Sequence, residues 1–461
     1  MRLRRVRHEP VRSFAGSRFV YGLVHPGIFR ALKSSLSAFS LQIQAFDLQM
    51  TMLDKLRDPG TWNDFYEYKT HLACPKAFAR QLRAFTDTEG YLPVCEAIAR
   101  GEGFPLPRRS VISKLSSQKK RTVYTYPDAE NTVLKLLTYL LLRKYDGLFS
   151  DGLYSFRPGR SAKDAIRRLI KVPGIGSMWS YKVDIHDYFN SVPVDRLLPM
   201  LKEAASDDPQ LYGFLASLLT EERVLDCGRE IKEDKGIMAG TPLSAFYANL
   251  YLKDLDRRFA DRGIPYSRYS DDIIVFAATR EEAEAYAAEI KDFLKDAGLS
   301  VNPAKEHLAG PEEGWTFLGF SRKDGVTDIA EATVLKLKHK MRRKARALKR
   351  WADRNGHSGR NAAAAFIRVF NRKLLETSGD SELSWSYWFF PVITTVKSLQ
   401  LIDSYAQDCL RYLISGTRTK ARYNVRYEDL KALGYRSLVH EYYAFAEAEE
   451  KDGRKGKDVR A

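Results

Sequence analysis

Cysteine is scarce in this sequence and follows no spacing typical of a zinc site or a disulfide framework. The four cysteines, Cys74, Cys95, Cys227 and Cys409, are scattered over 461 residues, whereas both kinds of site need cysteines in close pairs or regular series. The pattern excludes a disulfide-stabilised secreted scaffold, and it predicts a protein of the reducing cytoplasm.

Long apolar runs are lacking as well. No stretch approaches the ~20 apolar residues that a membrane-spanning helix needs, and the basic first residues are not followed by the apolar segment of a signal peptide. We therefore expect no membrane attachment. No internal repeat is visible either, which excludes solenoid and array architectures.

Acidic residues are in deficit, because 58 Asp and Glu stand against 75 Lys and Arg and leave a formal net charge of +17. A basic surface of this size attracts a phosphate backbone and releases its counterions. The composition therefore predicts a nucleic-acid partner. With 44% hydrophobic residues, the chain also has ample apolar side chains for a large core.

The most informative segment consists of Tyr269, Ser270, Asp271 and Asp272. Aromatic and β-branched residues on both sides predict two strands, and Ser-Asp-Asp predicts a tight turn between them. Two adjacent carboxylates at the tip of a hairpin repel each other unless a cation lies between them, and a divalent, oxygen-seeking metal is the usual partner. An ordinary hairpin with an exposed acidic turn is the alternative.

A third carboxylate is offered by Asp184, which ends an apolar strand pattern and precedes the aromatic pair Tyr188 and Phe189. An acid at the end of a strand can project over a sheet and share a metal with Asp271. Alternatively, Asp184 caps the turn that follows the strand.

These two segments resemble motifs A and C of reverse transcriptases, with residues 269–272 as the Tyr-x-Asp-Asp box. Five further segments are similar to other motifs of that family and follow in its order: the basic strand with Lys119 and Arg121, Phe-Arg-Pro-Gly-Arg-Ser at 156–161, Gly-Thr-Pro-Leu-Ser at 240–244, Gly-Leu-Ser-Val-Asn-Pro-Ala-Lys at 298–305, and Phe-Leu-Gly-Phe at 317–320. On these motifs the chain is identified as a member of the reverse transcriptase family.

The resemblance implies an RNA-directed DNA polymerase that uses two Mg²⁺ ions, for which Mn²⁺ can substitute. The ions would be held at Asp184, Ile185, Asp271 and Asp272, with the three aspartates as catalytic residues. Lys305 would act as a general acid toward the departing pyrophosphate, and a surface lysine that supplies only charge is the alternative. The implied partners are an RNA template, deoxynucleoside triphosphates and the DNA product.

The resemblance also assigns residues to the incoming nucleotide. Lys119 and Arg121 would contact the triphosphate, Arg121 because its planar fork matches phosphate oxygens. Phe189 would be the steric gate whose ring excludes a ribose 2′-hydroxyl, and Gly240 would begin motif B, the Gly-Thr-Pro-Leu-Ser segment whose loop lies beneath the template base. Met and Ala stand before Gly240 where the family has Pro-Gln, so we expect unusual fidelity, nucleotide preference or template use.

The implied fold is α+β, a right-hand polymerase with fingers, a palm of antiparallel sheet and helices, and a helical thumb. The expected divisions are a helical N-terminal extension at 1–105, fingers and palm at 106–330, the start of a basic thumb at 331–355, a helical thumb and C-terminal RNA-binding region at 356–446, and a disordered tail at 447–461.

A strongly basic helix is expected at the start of the thumb. Nine Lys or Arg and no acid lie between Lys336 and Arg350. A less complete apolar stripe accompanies them, made of Leu335, Leu337, Met341, Ala345 and Leu348. The position after the Phe-Leu-Gly-Phe motif favours a helix that follows the minor groove of the template–primer duplex. A solvated basic helix is the alternative.

The residues after the thumb bear on the kind of reverse transcriptase. They contain no histidine–asparagine nuclease pattern and no paired Cys-x-x-Cys, and the Val-Thr-Gly signature of retron enzymes is absent. The chain therefore most resembles bacterial antiphage-defence reverse transcriptases, and those that use a companion non-coding RNA as template would fit its basic C-terminal region. An endonuclease-free group II intron maturase, an untemplated terminal transferase and a non-catalytic RNA-binding scaffold are the alternatives, and the oligomeric state is left open.

Overall fold

The computed structural model describes residues 50–71, 74–113, 120–376 and 385–458. The chain divides after Met50, and Thr51–Ala461 forms one compact unit. Lys119 and the helical pattern expected before residue 50 lie outside the described residues.

Helices open and close the described part of the chain, and the strands lie between them. The helices are α1 Met52–Lys55, α2 Pro59–His71, α3 Lys76–Asp87, α4 Leu92–Ala99, α5 Asp128–Lys144, α6 Ala162–Ile170, α7 Tyr188–Ser191, α8 Val194–Ala204, α9 Pro209–Thr220, α10 Ser244–Tyr251, α11 Lys253–Asp261, α12 Arg280–Asp296, α13 Glu331–Arg354, α14 Gly359–Leu374, α15 Trp385–Phe389, α16 Lys397–Ser415, α17 Tyr427–Ala432 and α18 Leu438–Asp458. The strands are β1 Arg108–Ser113, β2 Lys120–Thr125, β3 Trp179–Asp184, β4 Arg223–Asp226, β5 Arg229–Lys232, β6 Tyr266–Tyr269, β7 Asp272–Ala277, β8 His307–Ala309, β9 Trp315–Phe317, β10 Phe320–Lys323 and β11 Val326–Ile329.

Helices α1, α2 and α4 pack against α5, and α3 packs against α2. Trp62 and Phe65 are three residues apart, so both lie on the inner face of α2 and are fully buried. Trp62 stacks on Tyr91 with ring centroids 4.7 Å apart, and Phe65 meets Tyr139 of α5 edge-on at 5.3 Å. The described part of the N-terminal extension therefore shares its hydrophobic core with the palm.

The fingers carry a four-stranded sheet in the order β2-β1-β4-β5. β1 pairs antiparallel with β2 and parallel with β4. The β2 edge is joined to the motif B loop, because the amide of Tyr124 donates to the carbonyl of Ala239 at 2.8 Å.

The palm sheet has the order β6-β7-β3-β8 and separates two hydrophobic cores. Its central strand β7 is a run of β-branched and aromatic residues, which favours a strand. Ile273 and Val275 belong to one core, whereas Ile274 and Phe276 belong to the other. Successive side chains of a strand point to opposite faces, so β7 is buried on both sides and its end is held rigidly.

The thumb follows a three-stranded sheet in the order β11-β10-β9. Its first helix, α13, is 24 residues long and packs against α14 and α16. α13 ends at Arg354 and α14 begins at Gly359, so a break between helices lies beside the division expected after residue 355. The predicted apolar stripe is wrong at Leu335, which is 45% exposed, because Val334 faces the core instead and aligns with Met341 and Leu348.

The C-terminal helix α18 extends to Asp458, so the structure has a helix over much of the segment for which the sequence predicts disorder from residue 447. Its start is anchored by aromatic contacts, since Tyr442 and Phe445 meet Phe390 with ring centroids 5.4 and 6.0 Å apart. Alanine, glutamate and lysine then continue the helix, and these residues have high helix propensity.

The expected fold class is confirmed. The structure is α+β, with fingers, a palm whose sheet is antiparallel throughout, and a helical thumb. The helices of the described residues include none that is long and apolar enough to cross a bilayer.

Candidate active site

The predicted hairpin is confirmed: β6 ends at Tyr269, β7 begins at Asp272, and these two residues pair across a two-residue turn. The turn holds Ser270 at φ 60°, a left-handed conformation that short polar residues tolerate. Such a tight turn leaves Asp271 at its tip, directly beside Asp272. The turn chemistry read from Ser-Asp-Asp therefore places both carboxylates at one end of the palm sheet.

The end of β3 brings the third carboxylate to the same place. β3 pairs antiparallel with β7, and Asp184, its last residue, lies opposite Asp272. The next residue, Ile185, is buried, and its amide donates to the carbonyl of Asp271 at 3.0 Å. One carboxylate oxygen from each of Asp184, Asp271 and Asp272 lies within 4.8 Å of the others, so the sequence prediction of a shared cluster is confirmed.

A cation would stabilise the ionised form of this carboxylate cluster. Burial, and then the neighbouring charge of Asp184, raise the pKa of Asp271. Burial is also the main cause that raises the pKa of Asp272 to about 6, with Lys182 opposing the shift and the other two aspartates adding to it. Both shifts mean that the ionised cluster is unfavourable by itself. Mg²⁺ and Mn²⁺ prefer carboxylate oxygens, and the three residues therefore fit a divalent metal site.

Lys305 lies at the cluster and forms an ion pair with Asp184. It ends a 3₁₀ turn over Pro303–Lys305, which is attached to β3 because the amide of Asn302 donates to the carbonyl of Asp184 at 2.8 Å. Half of the Lys305 side chain is exposed, so the ammonium can turn away from Asp184 into solvent or toward a substrate.

Arg121 and Phe189 lie together beside the cluster. The guanidinium of Arg121 is 5.9 Å from the centre of the Phe189 ring, and its positive charge opposes the rise in the pKa of Asp271. Phe156 meets Phe189 edge-on at 6.5 Å. Lys119, the second predicted triphosphate contact, lies outside the described residues.

Gly240 and Gly236 let the motif B loop approach its neighbours closely. Gly240 has φ 102°, and a Cβ there would be 3.0 Å from the carbonyl oxygen of Tyr124. Gly236 has φ 51°, and a Cβ there would be 2.7 Å from the carbonyl oxygen of Phe189. The amide of Ile237 then donates to that same carbonyl at 2.9 Å. Gly236, which no sequence motif indicated, thus sets the position of Phe189 from behind.

A buried ion pair beneath the turn was not predicted from the sequence. Arg268 and Asp256 are both fully buried and pair at 2.6 Å, and Tyr266 donates to Asp256 at 2.8 Å. Arg268 also donates to the carbonyls of Ser270 at 3.2 Å and Asn249 at 3.4 Å. A charged residue in the middle of a short buried strand was the available signal, because such a residue needs a buried partner.

The same network reaches Tyr154 and Ser155, which directly precede the Phe-Arg-Pro-Gly-Arg-Ser segment. The Asn249 side chain donates to the Ser155 carbonyl at 2.8 Å and accepts from the Ser155 hydroxyl at 3.1 Å. Tyr154 donates its amide to the carbonyl of Arg268 at 3.0 Å. Three separate motifs are therefore joined behind the carboxylate turn by buried hydrogen bonds.

Comparison with known proteins agrees with this geometry. Residues 112–321 match the family described as reverse transcriptase (RNA-dependent DNA polymerase). The chain is 31% identical over 154 residues to an uncharacterized 91 kDa protein in a cob intron of Schizosaccharomyces pombe, which covers 32% of this chain and 18% of that protein. It is 25% identical over 185 residues to the group II intron-encoded protein LtrA of Lactococcus lactis subsp. cremoris, which covers 39% of this chain and 30% of that protein.

Among solved structures, the chain is similar to telomerase from Candida albicans in complex with a TWJ fragment of telomeric RNA, with a TM-score of 0.40 and 12% sequence identity over 74% of this chain and 67% of that one. The matches to the two intron proteins span less than a third of their length. Residues 112–321, which carry the motifs in order and the three aspartates gathered at one turn, are therefore the part of this chain that matches the reverse transcriptase family.

Proposed function

We propose that this protein is an RNA-directed DNA polymerase that adds deoxynucleotides to a 3′-hydroxyl by two-metal catalysis. The observation that carries the proposal is the cluster of Asp184, Asp271 and Asp272, whose carboxylate oxygens lie within 4.8 Å of one another at the end of the palm sheet. Nucleotidyl transfer needs such a cluster, because both the attacking and the leaving oxygen develop charge that must be stabilised.

Asp184 and Asp271 would hold two Mg²⁺ ions, or Mn²⁺ in their place, and Asp272 would add negative charge. Ile185 would support the site through its backbone, which already ties β3 to the Asp271 carbonyl. The bound ions would activate the 3′-hydroxyl and neutralise the triphosphate. The raised pKa values of Asp271 and Asp272 support this assignment, since a bound cation would stabilise the ionised carboxylates that burial and mutual repulsion disfavour.

Arg121 and Phe189 would select the nucleotide. Among the described basic residues, Arg121 would contact the triphosphate, with Lys119 as its expected partner. Because the Phe189 ring is held between Arg121 and Phe156, it would present a fixed wall to the sugar and exclude a ribose 2′-hydroxyl. Gly240 would let the motif B loop lie close to the template base.

Lys305 would supply the leaving-group proton. The new bond forms between the primer 3′-oxygen, whose hydroxyl proton passes to solvent water, and the α-phosphorus, and the bond from that phosphorus to the oxygen bridging to the β-phosphate breaks. Lys305 forms an ion pair with Asp184, and it would donate a proton to the departing pyrophosphate when metal binding engages Asp184.

The outward face of α13 would contact the nucleic acid. Lys336, Lys340 and Arg354 recur at helical spacing and are exposed. They would face the phosphates of the duplex formed by the RNA template and the DNA product, which is the surface expected of a thumb.

The test is primer extension with purified protein on an RNA template. The Asp271→Ala/Asp272→Ala variant should lose synthesis and keep its RNA affinity within about twofold, because the aspartates carry no phosphate contacts of their own. A matched control, Asp292→Ala/Glu447→Ala, removes two exposed acids elsewhere and should extend normally. Synthesis that survives in the first variant would overturn the site assignment.

Reactions with one kind of nucleotide at a time, and with or without template, distinguish the polymerase from a terminal transferase and from an RNA-binding scaffold. The proposal expects extension with deoxynucleotides and not with ribonucleotides, and only in the presence of template. Extension without template would make the protein a terminal transferase, and binding without extension would make it an RNA-binding scaffold.

We further propose a role in antiphage defence with a companion non-coding RNA as template, supported by the basic region after α16. A group II intron maturase is the second candidate, and it is favoured by the similarity to two intron proteins. RNA co-purified from the host should be sequenced together with any DNA. One dominant structured RNA with complementary DNA supports the first role, and intron RNA supports the second.

A further inference from the structure

A pocket in the thumb collects arginine and tyrosine side chains away from the carboxylate cluster. It has a volume of about 230 Å³ and lies between α13, α16 and the segment after α16. Arg342 and Arg346 enter it from α13, Arg418 and Arg422 from that segment, and Tyr405 and Tyr412 from α16. Asp408 is the acidic residue of its lining.

The pocket carries a net positive charge. Arg422 pairs with Asp408 at 2.7 Å. Among the described residues, no carboxylate forms an ion pair with Arg342, Arg346 or Arg418. Three guanidinium groups without an acidic partner make a site that attracts an anion, and their planar forks fit the oxygens of a phosphate.

Contacts with rings and backbone hold the arginines of the C-terminal segment in place. Arg418 lies 4.8 Å from the centre of the Tyr412 ring, and Arg422 lies 4.5 Å from that of Tyr423. Arg422 also donates to the carbonyl of Arg418. Such contacts reduce the conformational freedom that binding would otherwise remove, so the pocket is organised before any ligand enters.

The pocket faces a different side of α13 from the outward basic row. Each residue turns the helix by about 100°, so the pair Arg342 and Arg346 is centred about 120° around the axis from the pair Lys336 and Lys340. Residues Met341 and Ala345 beside the two arginines are buried in the bundle. The basic residues of this helix therefore serve two surfaces, one open and one concave.

We propose that this pocket binds a phosphate of single-stranded RNA, with the attached nucleoside against Tyr405 or Tyr412. This inference rests on the proposed function and deepens it by naming the partner of a second site. A cavity of about 230 Å³ is below the usual range for whole small-molecule ligands, but it can take part of one nucleotide. In a duplex the bases are stacked in the interior of the double helix, so a nucleotide whose base enters a concave protein site must be unpaired. Stacking on tyrosine then tolerates any base.

The test compares two RNA ligands and two matched variants by fluorescence anisotropy, without metal or nucleotide. The ligands are a 12-nucleotide single-stranded RNA and an RNA–DNA duplex of the same length. The pocket variant is Arg342→Gln/Arg346→Gln, and the control is Lys336→Gln/Lys340→Gln on the outward row of the same helix. Arg418→Gln, in the segment outside the helices, is a second pocket variant that leaves the bundle untouched.

The pocket variants should bind the single strand about tenfold more weakly and show a salt slope smaller by about 0.7 for each phosphate that the pocket no longer neutralises. Their duplex affinity should stay within about twofold of the wild type. The Lys336→Gln/Lys340→Gln control should lose duplex affinity and keep its single-strand affinity within about twofold of the wild type. Equal losses on both ligands would assign the arginines to the duplex surface, and unchanged single-strand binding in the pocket variants would remove the pocket as an RNA site.

The readout is independent of polymerisation. Wild-type primer extension is measured separately, and its absence would overturn the proposed function without changing the binding result. Wild-type single-strand affinity in the pocket variants, with extension intact, would overturn this inference alone.

Discussion

Arg268 is a fully buried charge that supports the carboxylate turn from beneath. Its guanidinium pairs with Asp256 and donates to the carbonyl of Ser270 within the turn. A buried ion pair adds little net stability, but the removal of one partner leaves a buried charge at a cost of about 3–5 kcal/mol. The pair therefore acts mainly by positioning the turn that carries Asp271.

We predict that Arg268→Met lowers the free energy of unfolding by about 3–5 kcal/mol and abolishes primer extension. The double variant Asp256→Leu/Arg268→Met should recover much of the stability, because no unpaired charge remains, but not the activity, because Ser270 still lacks its donor. Thermal melts and primer extension measure the two effects separately. Full activity in the double variant would show that Arg268 has no positioning role.

Asp272 makes the stability of the protein depend on pH. Burial raises its pKa to about 6 from an ordinary value of 3.8. A raised folded pKa contributes stability that is present below pH ~4 and lost as the pH rises through ~6. The groups that modulate this are Lys182 and Lys305, which oppose the shift, and the other two aspartates, which reinforce it.

In EDTA, the melting temperature of the wild type relative to Asp272→Asn should fall between pH 4 and pH 7. The exposed-acid control Asp292→Asn should follow the wild type. Addition of Mg²⁺ at pH 7 should raise the wild-type melting temperature more than that of Asp272→Asn, since the ion binds the ionised cluster. A constant difference between wild type and Asp272→Asn across this range would contradict the raised pKa.

The motif B loop is placed by contact with two other elements, and glycine is what allows the contact. Gly236 reaches the backbone of Phe189 at the start of α7, and Gly240 reaches β2. Gly228, in the turn between β4 and β5, also has positive φ, at 83°, but a Cβ there would meet nothing within 4 Å. A comparison of substitutions at Gly236 and Gly228 therefore distinguishes the effect of a steric clash from the effect of a left-handed backbone alone.

Gly228→Ala should cost only the strain of a left-handed residue, about 1–2 kcal/mol, and leave deoxynucleotide selection unchanged. Gly236→Ala adds a clash with the Phe189 carbonyl, so it should displace the Phe189 ring and reduce discrimination against ribonucleotides. Competing incorporation of each nucleotide pair by both variants is the measurement. Equal discrimination in the two variants would mean that Phe189 is held by other contacts.

The whole molecule is basic, with a formal net charge of +17, and this charge is distributed over both the outward row of α13 and the thumb pocket. Affinity that depends on phosphate contacts falls steeply with salt, because binding releases counterions. The segment after α16 brings Arg418 and Arg422 next to α13, so distant parts of the sequence contribute to one basic pocket.

We predict that affinity for a template–primer duplex falls by about a thousandfold between about 50 and 200 mM salt, the decrease expected when about six phosphates are neutralised. The Lys336→Gln/Lys340→Gln variant should show a slope smaller by about 0.9 for each phosphate left without a cationic partner. Titrations by anisotropy at several salt concentrations measure this. A salt-independent affinity would mean that binding is not governed by the basic surface.

Features that depend on local chemistry could be predicted from the order of the amino acids alone. Turn formers between β-branched runs predicted the β6–β7 hairpin, and an acid at the end of an apolar run predicted the position of Asp184 at the end of β3. The clustering of the three aspartates followed from the family motifs. The helix α13 was also predictable, because its basic and apolar residues recur at helical spacing.

Contacts between residues that are distant in the sequence depend on tertiary packing, and they could not be predicted from local chemistry. The Arg268–Asp256 pair and the approach of Gly236 to Phe189 each join separate segments, and no local pattern encodes them. The division of α13 between an open row and a concave pocket depends on where α16 packs. Spacing along a helix sets which residues share a face, but the neighbouring element decides whether that face contacts protein or remains free for RNA.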